Sequence, residues 1–312
     1  MKDPEIDNVA VIGAGLMGFG VGVEFARFGY QVALFNRSPE TSRQAMRQAR
    51  QALDLMVETE LMSGAEADDA YRRLRPTTDL AEAARGAQYV VESVAELPDL
   101  KKEVYAALDQ ICPPPAILAT NTSGLSITDI ATATKHPERT VVTHYFQPPH
   151  FIPLVEVVGG QQTSRDTIER TARILRGMRK RVAIIDVELP RHVGNRIQGV
   201  IRNEVESLVD KGVCTPQMID DIIQFGFGRR MAYTGYFKRL DLVGLDFRYT
   251  AAKGQGIPVW PPVAEHVERG ELGMKSGKGF YDWPGNSAEE LHRKMNLELI
   301  RLMKQDMQDG SI

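Results

Sequence analysis

Two residues twelve positions apart, His144 and Glu156 (156 − 144 = 12), are of the types that move protons. They lie in the stretch THYFQPPHFIPLVEVVGG, Thr143–Gly160. VVTHYF and LVEVV carry the β-branched and aromatic residues of strands, and QPPH between them carries the residues of a turn. Pro148 and Pro149 lack an amide hydrogen and fix φ, so the chain must reverse or kink there. A hairpin-like return brings the imidazole and the carboxylate face to face. An imidazole titrates near neutral pH, and a carboxylate on one ring nitrogen fixes its tautomer and orientation, which makes a general acid–base pair. Taken alone, the two residues would more readily be read as satisfying each other near a strand edge.

A glycine loop decides for chemistry. NVAVIGAGLMGFG holds Gly13, Gly15 and Gly18, with Leu16 and Met17 inside the loop. The loop follows a strand pattern, opens a helix pattern and lies in a βαβ unit that continues to QVALF, the context in which GxGxxG signals dinucleotide binding. Gly13 allows the tight turn, Gly15 lets backbone approach a pyrophosphate, and Gly18 lets the helix pack closely on the strand. The phosphates then sit at a helix N-terminus, where free N–H groups and the dipole favour negative charge. A fold selective for NAD carries an acid about 20 residues further on, bound to the ribose 2′-hydroxyl. Here that place holds Asn36, 18 residues past Gly18 (36 − 18 = 18), followed by Arg37 and Ser38. Asn36 does not repel a 2′-phosphate and Arg37 can hydrogen-bond it, with Ser38 and Arg43 adding to the pocket. The expected cofactor is NADP, with NAD also used.

The elements that must position these residues alternate. Strand patterns read at about Asn8–Ile12, Gln31–Phe35, Gln88–Glu92, Ala116–Thr120, Thr140–His144, Leu154–Val158 and Val182–Val187, with helical patterns between most of them. Several are continuous apolar runs, as strands buried on both faces require. This predicts a doubly wound α/β domain of the Rossmann type over residues 1–189. From His192 onward the patterns are helical, giving an all-helical domain over 190–312. Its first helix carries Ile197, Ile201, Val205, Leu208 and Val209 on one face and stops at Gly212. Between the second and third strand patterns, Ser38 to about Arg75 reads as two helices parted near Ser63-Gly64, more chain than a simple crossover needs.

Composition narrows the field. The 312 residues are 43% hydrophobic and 25% charged, with a net charge of −3. That is an ordinary globular balance with no basic run for nucleic acid. No apolar stretch approaches a membrane span. The N-terminus runs straight into a strand and does not read as a signal peptide. Cys112 and Cys214 form no CxxC pair, so no disulfide framework and no metal site are expected, and a reducing, cytoplasmic setting is the expectation.

The chain also resembles the L-3-hydroxyacyl-CoA dehydrogenase family over nearly its whole length. The resemblance rests on VIGAGLMG, VVESVAELPDLKKEVY, ATNTSGLSITDIA, THYFQPPHFIPLVEVVGG, HVGNRIQGVI and LGMKSGKGFYDW, in that order. HYFQPPHFIPLVEV and GFGRRMAYTGYFKRLDLVGLD are closer to its lambda-crystallin and gulonate dehydrogenase branch. The resemblance implies a catalytic His, Glu, Asn and Ser at His144, Glu156, Asn195 and Ser123. It places Glu96 and Lys101, in an ExxxxK stretch, and Asn121 beside the cofactor. It further implies a homodimer built through the helical domain. On this pattern His144 removes the proton of a secondary alcohol while hydride leaves for a nicotinamide, and Glu156 stabilises the imidazolium.

Four departures bear on the substrate. Gln147 replaces the family's usual Asn, Pro190-Arg191-His192 its Pro-Gly-Phe, and Gly235-Tyr236-Phe237 its Gly-Pro-Phe. The two-helix insertion carries Arg43, Arg47 and Arg50, but also Glu58 and Glu60, which repel a phosphate-rich ligand. Two substrate classes therefore stand: a 3-hydroxyacyl-CoA, and a free small hydroxy acid with Arg229 or Arg230 on its carboxylate. A third reading, a non-catalytic crystallin-like protein, is opposed by the presence of His144, Glu156 and Asn195.

Overall fold

Short apolar runs bounded by glycines and turns become the strands of one eight-stranded sheet. The computed structural model describes residues 3–312. In chain order the strands are β1 (Asn8–Ile12), β2 (Gln31–Phe35), β3 (Leu74–Thr77), β4 (Tyr89–Glu92), β5 (Ile117–Thr120), β6 (Thr140–Tyr145), β7 (Leu154–Val158) and β8 (Arg181–Ile185). Across the sheet they run β3-β2-β1-β4-β5-β6-β7-β8, all parallel except β6 with β7. Helices α1 (Gly18–Arg27), α2 (Pro39–Glu58), α3 (Gly64–Arg72), α4 (Leu80–Ala84), α5 (Pro98–Ile111), α6 (Ile127–Ala131) and α7 (Arg165–Gly177) connect them. Along β1, Val9 and Val11 enter one core with Phe25, Tyr30 and Leu34, while Ala10 and Ile12 enter the other with Tyr105 and Leu118. Burial on both faces explains the continuous apolar runs. The fold is the doubly wound α/β class read from the pattern.

β3 escaped that reading. Its four residues, LRPT, include an arginine and a proline, with Leu74 and Thr77 buried and the middle two exposed. The strand lies at the sheet edge, where a proline removes no ladder bond the sheet needs. The insertion before it is the expected pair, α2 and α3. Ser63 starts α3 with a reciprocal capping box: its hydroxyl accepts from Glu66 N at 3.3 Å, and Glu66 Oε2 accepts from Ser63 N at 2.7 Å. Glu58 and Glu60 are exposed.

Strand order reverses between β1 and β4, so a crevice opens at the carboxyl ends of those strands, where ligands of open α/β sheets bind. The β6–β7 hairpin beside it is pinned. Lys180 Nζ donates to Pro149 O at 2.6 Å and Ile152 O at 3.1 Å, and pairs with the buried Glu24 at 2.8 Å.

By contact the chain divides into a unit ending at Val200 and a unit Ile201–Ile312, inside helix α8 (Val193–Asp210). The strand pattern ends near residue 189, but the first turn of α8 still bonds to the sheet unit: Gly194 N donates to Glu156 and Asn195 Nδ2 to Ser123 O. The second unit is helical: α9 (Pro216–Asp221), a wide helical turn over Ile222–Phe227, α10 (Gly228–Thr234), α11 (Phe237–Val243), α12 (Leu245–Gly254), α13 (Pro261–Glu268) and α14 (Ser287–Asp309). Asp241, fully buried, organises the LGMKSGKGFYDW segment by accepting from Phe280 N, Tyr281 N and Trp283 Nε1 at 3.0, 3.0 and 2.9 Å. Arg229 forms a two-pronged pair with Asp306 and donates to Gln224 O, so it is not the free guanidinium that a substrate carboxylate would need. Among the described residues no helix is long and apolar enough to cross a membrane.

Candidate active site

Between β1 and α1 each glycine has its own reason. Gly13 takes φ +96°, and a Cβ there would stand 2.7 Å from Ser93 O. A Cβ on Gly18 would stand 2.1 Å from Gly13 O, so helix and loop touch backbone to backbone. Around Gly15 nothing lies within 4 Å of that position, which leaves the loop open to a ligand. Gly13 and Gly15 line a cavity of about 730 Å³ together with Asn36, Arg37, Ser38 and Thr41.

Asn36 is buried, and its Nδ2 has no hydrogen-bond partner. An orphaned buried donor costs free energy unless a ligand satisfies it. Arg37 is exposed at the same cavity. Ser38 already caps α2, its hydroxyl accepting from Thr41 N at 3.2 Å. Arg43 lies elsewhere: α2 carries it onto a separate cleft with Arg47 and Tyr71, so it does not join the ribose pocket. Arg50 is held by Asp54 and Asp68. The open glycine loop and the unpaired Asn36 amide fit a dinucleotide.

A second cavity, about 600 Å³, shares Ser93, Val94 and Ala95 with the first. Leu16, Met17, Glu96, Asn121, Ser123, His144, Gln147, Asn195 and Gln198 also line it. These residues come from the carboxyl ends of β1, β4, β5 and β6 and from the first turns of α8. Antiparallel register sets His144 directly opposite Glu156. His144 Nδ1 lies 2.8 Å from Glu156 Oε2, and both residues are buried. Glu156 Oε1 accepts from Gly194 N at 2.9 Å. Burial alone would raise the pKa of Glu156, but the bonds from His144 and Gly194 and the neighbouring imidazoles carry it below the ordinary carboxylate value. An ionised Glu156 assigns the proton to Nδ1 of His144 and leaves Nε2 as the acceptor. Nε2 lies 3.4 Å from Asn195 Nδ2, which also donates to Ser123 O at 2.8 Å. A side chain on Gly194 would collide with Phe146, whose ring packs 4.9 Å from that of His144.

The Thr122–Gly124 loop is folded around Glu96. Glu96 Oε1 accepts from the Thr122 hydroxyl, from Ser123 N at 2.9 Å and from Gly124 N at 3.2 Å. Burial opposes ionisation of Glu96, but the Thr122 hydroxyl, the charge of Lys101 and Ser123 N–H outweigh it and lower its pKa. Lys101 is more deeply placed than the resemblance implied. Its ammonium is 1% exposed and pairs with Glu92 at 2.7 and 2.9 Å and with Glu96 at 3.3 Å, so it supports the loop from beneath and does not line the cavity. Asn121 joins strand ends, its Oδ1 accepting from Tyr145 N and its Nδ2 donating to Ser93 Oγ.

Two residues beside this cluster stood in the sequence only as departures from a family pattern. His192 is buried, donates from Nε2 to Thr122 O at 3.1 Å, and lies 5.0 Å from the His144 ring. Burial first, then the His144 charge, lowers its pKa, so it is neutral at neutral pH. Its place three residues before Asn195, one helical turn away, was the available signal. Arg191 takes φ +58°, a left-handed conformation that costs a non-glycine residue about 1–2 kcal/mol.

Fold and site together define a nicotinamide-dependent dehydrogenase, with a histidine–carboxylate pair lining the cleft beside the dinucleotide cavity. Residues 8–188 match the family 3-hydroxyacyl-CoA dehydrogenase, NAD binding domain, and residues 192–283 match 3-hydroxyacyl-CoA dehydrogenase, C-terminal domain. The chain belongs to the 3-hydroxyacyl-CoA dehydrogenase family, and is an oxidoreductase of that type. It is 29% identical to a 5-formyl-3-hydroxy-2-methylpyridine 4-carboxylate 5-dehydrogenase of Mesorhizobium japonicum, over 96% of this chain and 98% of that one. It is 32% identical to a probable 3-hydroxybutyryl-CoA dehydrogenase of Bacillus subtilis, over 89% of this chain and 98% of that one. A solved 3-hydroxyacyl-CoA dehydrogenase from Archaeoglobus fulgidus superposes with a TM-score of 0.78 at 27% identity, covering 96% of this chain and 99% of that one.

Proposed function

We propose that this chain interconverts a 3-hydroxyl and a 3-keto group, with His144 as the general base and acid. The observation that carries the reading is the His144–Glu156 pair, with Nε2 left as the acceptor beside Asn195 in a cavity adjoining the dinucleotide cavity. The bound nicotinamide supplies the hydride chemistry. His144 Nε2 takes the hydroxyl proton in oxidation and returns it in reduction. Glu156 stabilises the imidazolium between those events. Asn195 and the Ser123 hydroxyl hold the reacting oxygen, and Gly13, Gly15, Leu16, Met17, Gly18 and Asn36 hold the dinucleotide. Nicotinamide absorbance tests the reading with acetoacetyl-CoA and a panel of free 3-hydroxy acids. Turnover of members of either set is expected; cofactor binding without turnover of any would overturn it. The relatives divide in the same way, between a coenzyme A thioester and a pyridine carboxylate.

For the cofactor, NADP is the proposed preference, with NAD also used. Asn36 carries no charge to repel a 2′-phosphate, its Nδ2 lacks a partner, and no carboxylate among the described residues ion-pairs with the exposed Arg37. A kcat/KM ratio favouring NAD by tenfold, ~1.4 kcal/mol, would overturn it. Asn36→Asp with Arg37→Leu should reverse the preference.

A homodimer through the helical unit completes the proposal. Within one chain the apolar face of α8 stays largely uncovered: Ile197 and Ile201 are exposed, and Gly199 is the one buried residue of that helix. Uncovered apolar stripes of this kind mark association surfaces, and twofold dimers are the commonest outcome. Light scattering giving a monomer mass at micromolar concentration would overturn it.

A further inference from the structure

The loop after β5 is held from two sides. Glu96 takes its donors: the Thr122 hydroxyl, Ser123 N and Gly124 N. The start of α8 and the residues before it take its carbonyls. His192 Nε2 donates to Thr122 O at 3.1 Å, Asn195 Nδ2 to Ser123 O at 2.8 Å, and Arg191 N to Gly124 O at 3.5 Å. Of the three loop residues, Ser123 is the one that lines the cavity of His144, and its hydroxyl has only a 3.5 Å contact with Glu96. His192 stands out among these grips. It is 3% exposed, Thr122 is fully buried, and the ring lies 5.0 Å from that of His144 at a tilt of 46°. Ring packing does not call for an imidazole, since Phe146 makes the same kind of contact with His144 at 4.9 Å. What the imidazole adds is a donor. A carbonyl only accepts, so the proton of neutral His192 lies on Nε2. Burial keeps the ring neutral, so the donor comes without a second charge beside the base.

We propose that His192 is a positioning residue of the reaction: with Asn195 it fixes the successive Thr122 and Ser123 carbonyls, and so presents the Ser123 hydroxyl to the reacting oxygen beside His144. The proposal rests on the dehydrogenase reading and adds a residue to its machinery. His192 and Asn195 stand three residues apart, one helical turn, and their side chains reach adjacent carbonyls of one loop. Asn195 also touches His144 Nε2 at 3.4 Å, so a shift of the loop is a shift of Ser123 relative to the base. Positioning groups of this kind act on kcat, because small misplacements of a group that meets the reacting atoms are costly.

The test is a double-mutant cycle with Ser123→Ala. His192→Phe and His192→Leu both remove the donor, so the cycle closes even where one of them does not fold; His192→Gln keeps an N–H. The substrate is whichever of acetoacetyl-CoA and the free 3-hydroxy acids wild type turns over fastest, and cofactor affinity is read by fluorescence titration. Loss of the donor should lower kcat about tenfold to a hundredfold while KM and cofactor affinity stay near wild type, and His192→Gln should recover part of the loss. In the Ser123→Ala background the same substitutions should cost less than about twofold, because the group they position is gone. A full-sized loss in that background means that His192 does not act through Ser123, and overturns the proposal. So does a His192→Gln variant as slow as His192→Phe, which would make the ring and not the donor the cause. Normal turnover by His192→Phe overturns the proposal and keeps the dehydrogenase reading. No turnover of any probe by wild type, with cofactor bound, overturns the dehydrogenase reading and this inference with it.

Discussion

Glu92 and Glu156 are two glutamates on strands of one sheet, both buried, and they have opposite uses. Glu92, at the end of β4, is saturated. It accepts from Lys101 Nζ with both oxygens, from Thr120 Oγ1 at 2.7 Å and from Val94 N at 2.7 Å. Glu156 on β7 gives one oxygen to a backbone amide and the other to an imidazole. The partner of Glu92 is the ammonium of Lys101, buried with it, and the pair braces the loop after β4 that carries Glu96 and, through Thr120, the start of the loop after β5 that carries Ser123. The partner of Glu156 is an imidazole that lines an open cavity, which is the arrangement the proposed acid–base role requires. Two buried carboxylates of one sheet thus differ in whether the partner is enclosed with them or faces a cavity.

The contrast can be broken most severely at the imidazole. His144→Ala should lower kcat by ~10²–10⁴ while cofactor affinity, read by fluorescence titration, stays near wild type. Unaltered turnover would remove the distinction between the two glutamates. Next in size is Glu92→Gln, which strands the Lys101 ammonium in the interior. Urea unfolding should show a loss of about 3–5 kcal/mol, with much of it restored by adding Lys101→Met. A change within experimental error would mean the Glu92 pair is not architectural. Smaller is Glu156→Gln. It should cost about tenfold to a hundredfold in kcat, and combined with His144→Ala should add little, because the two act in one step. Additive losses would show that they work separately.

The smallest effect expected is a slope. His192 has a folded pKa below its unfolded value of about 6.5, because it is buried beside His144, with Glu156 and Glu96 as the nearby acids. Its neutral form favours folding, so this stability is present above the unfolded pKa and is lost as pH falls towards the folded one. Wild-type stability should therefore fall more steeply than that of His192→Phe as pH drops below about 6.5. Equal slopes in urea titrations would place His192 outside the proton balance of the site.

The sequence alone determined a good deal. Apolar and β-branched runs gave seven of the strands, most of them buried on both faces, where apolar residues are required. The spacing of Gly13, Gly15 and Gly18 gave the dinucleotide loop, because backbone contact excludes side chains at defined positions. Proline at 148 and 149 gave the return that pairs His144 with Glu156. Tertiary structure decided what depends on partners distant in the chain. β3 needed an edge to tolerate Pro76. Lys101 needed Glu92, nine residues earlier, to be drawn beneath the site. Arg229 needed Asp306, 77 residues away, to be spent. Arg43 left the ribose pocket because the turn of α2 set it beside Arg47. His192 and Arg191 stood in plain view as departures from a pattern. The Thr122 carbonyl that His192 meets, and Gly124 and Gly199 beside the Arg191 side chain, come to them only when the chain is folded, since a side chain's charge and size are local but its solvation and its neighbours are not.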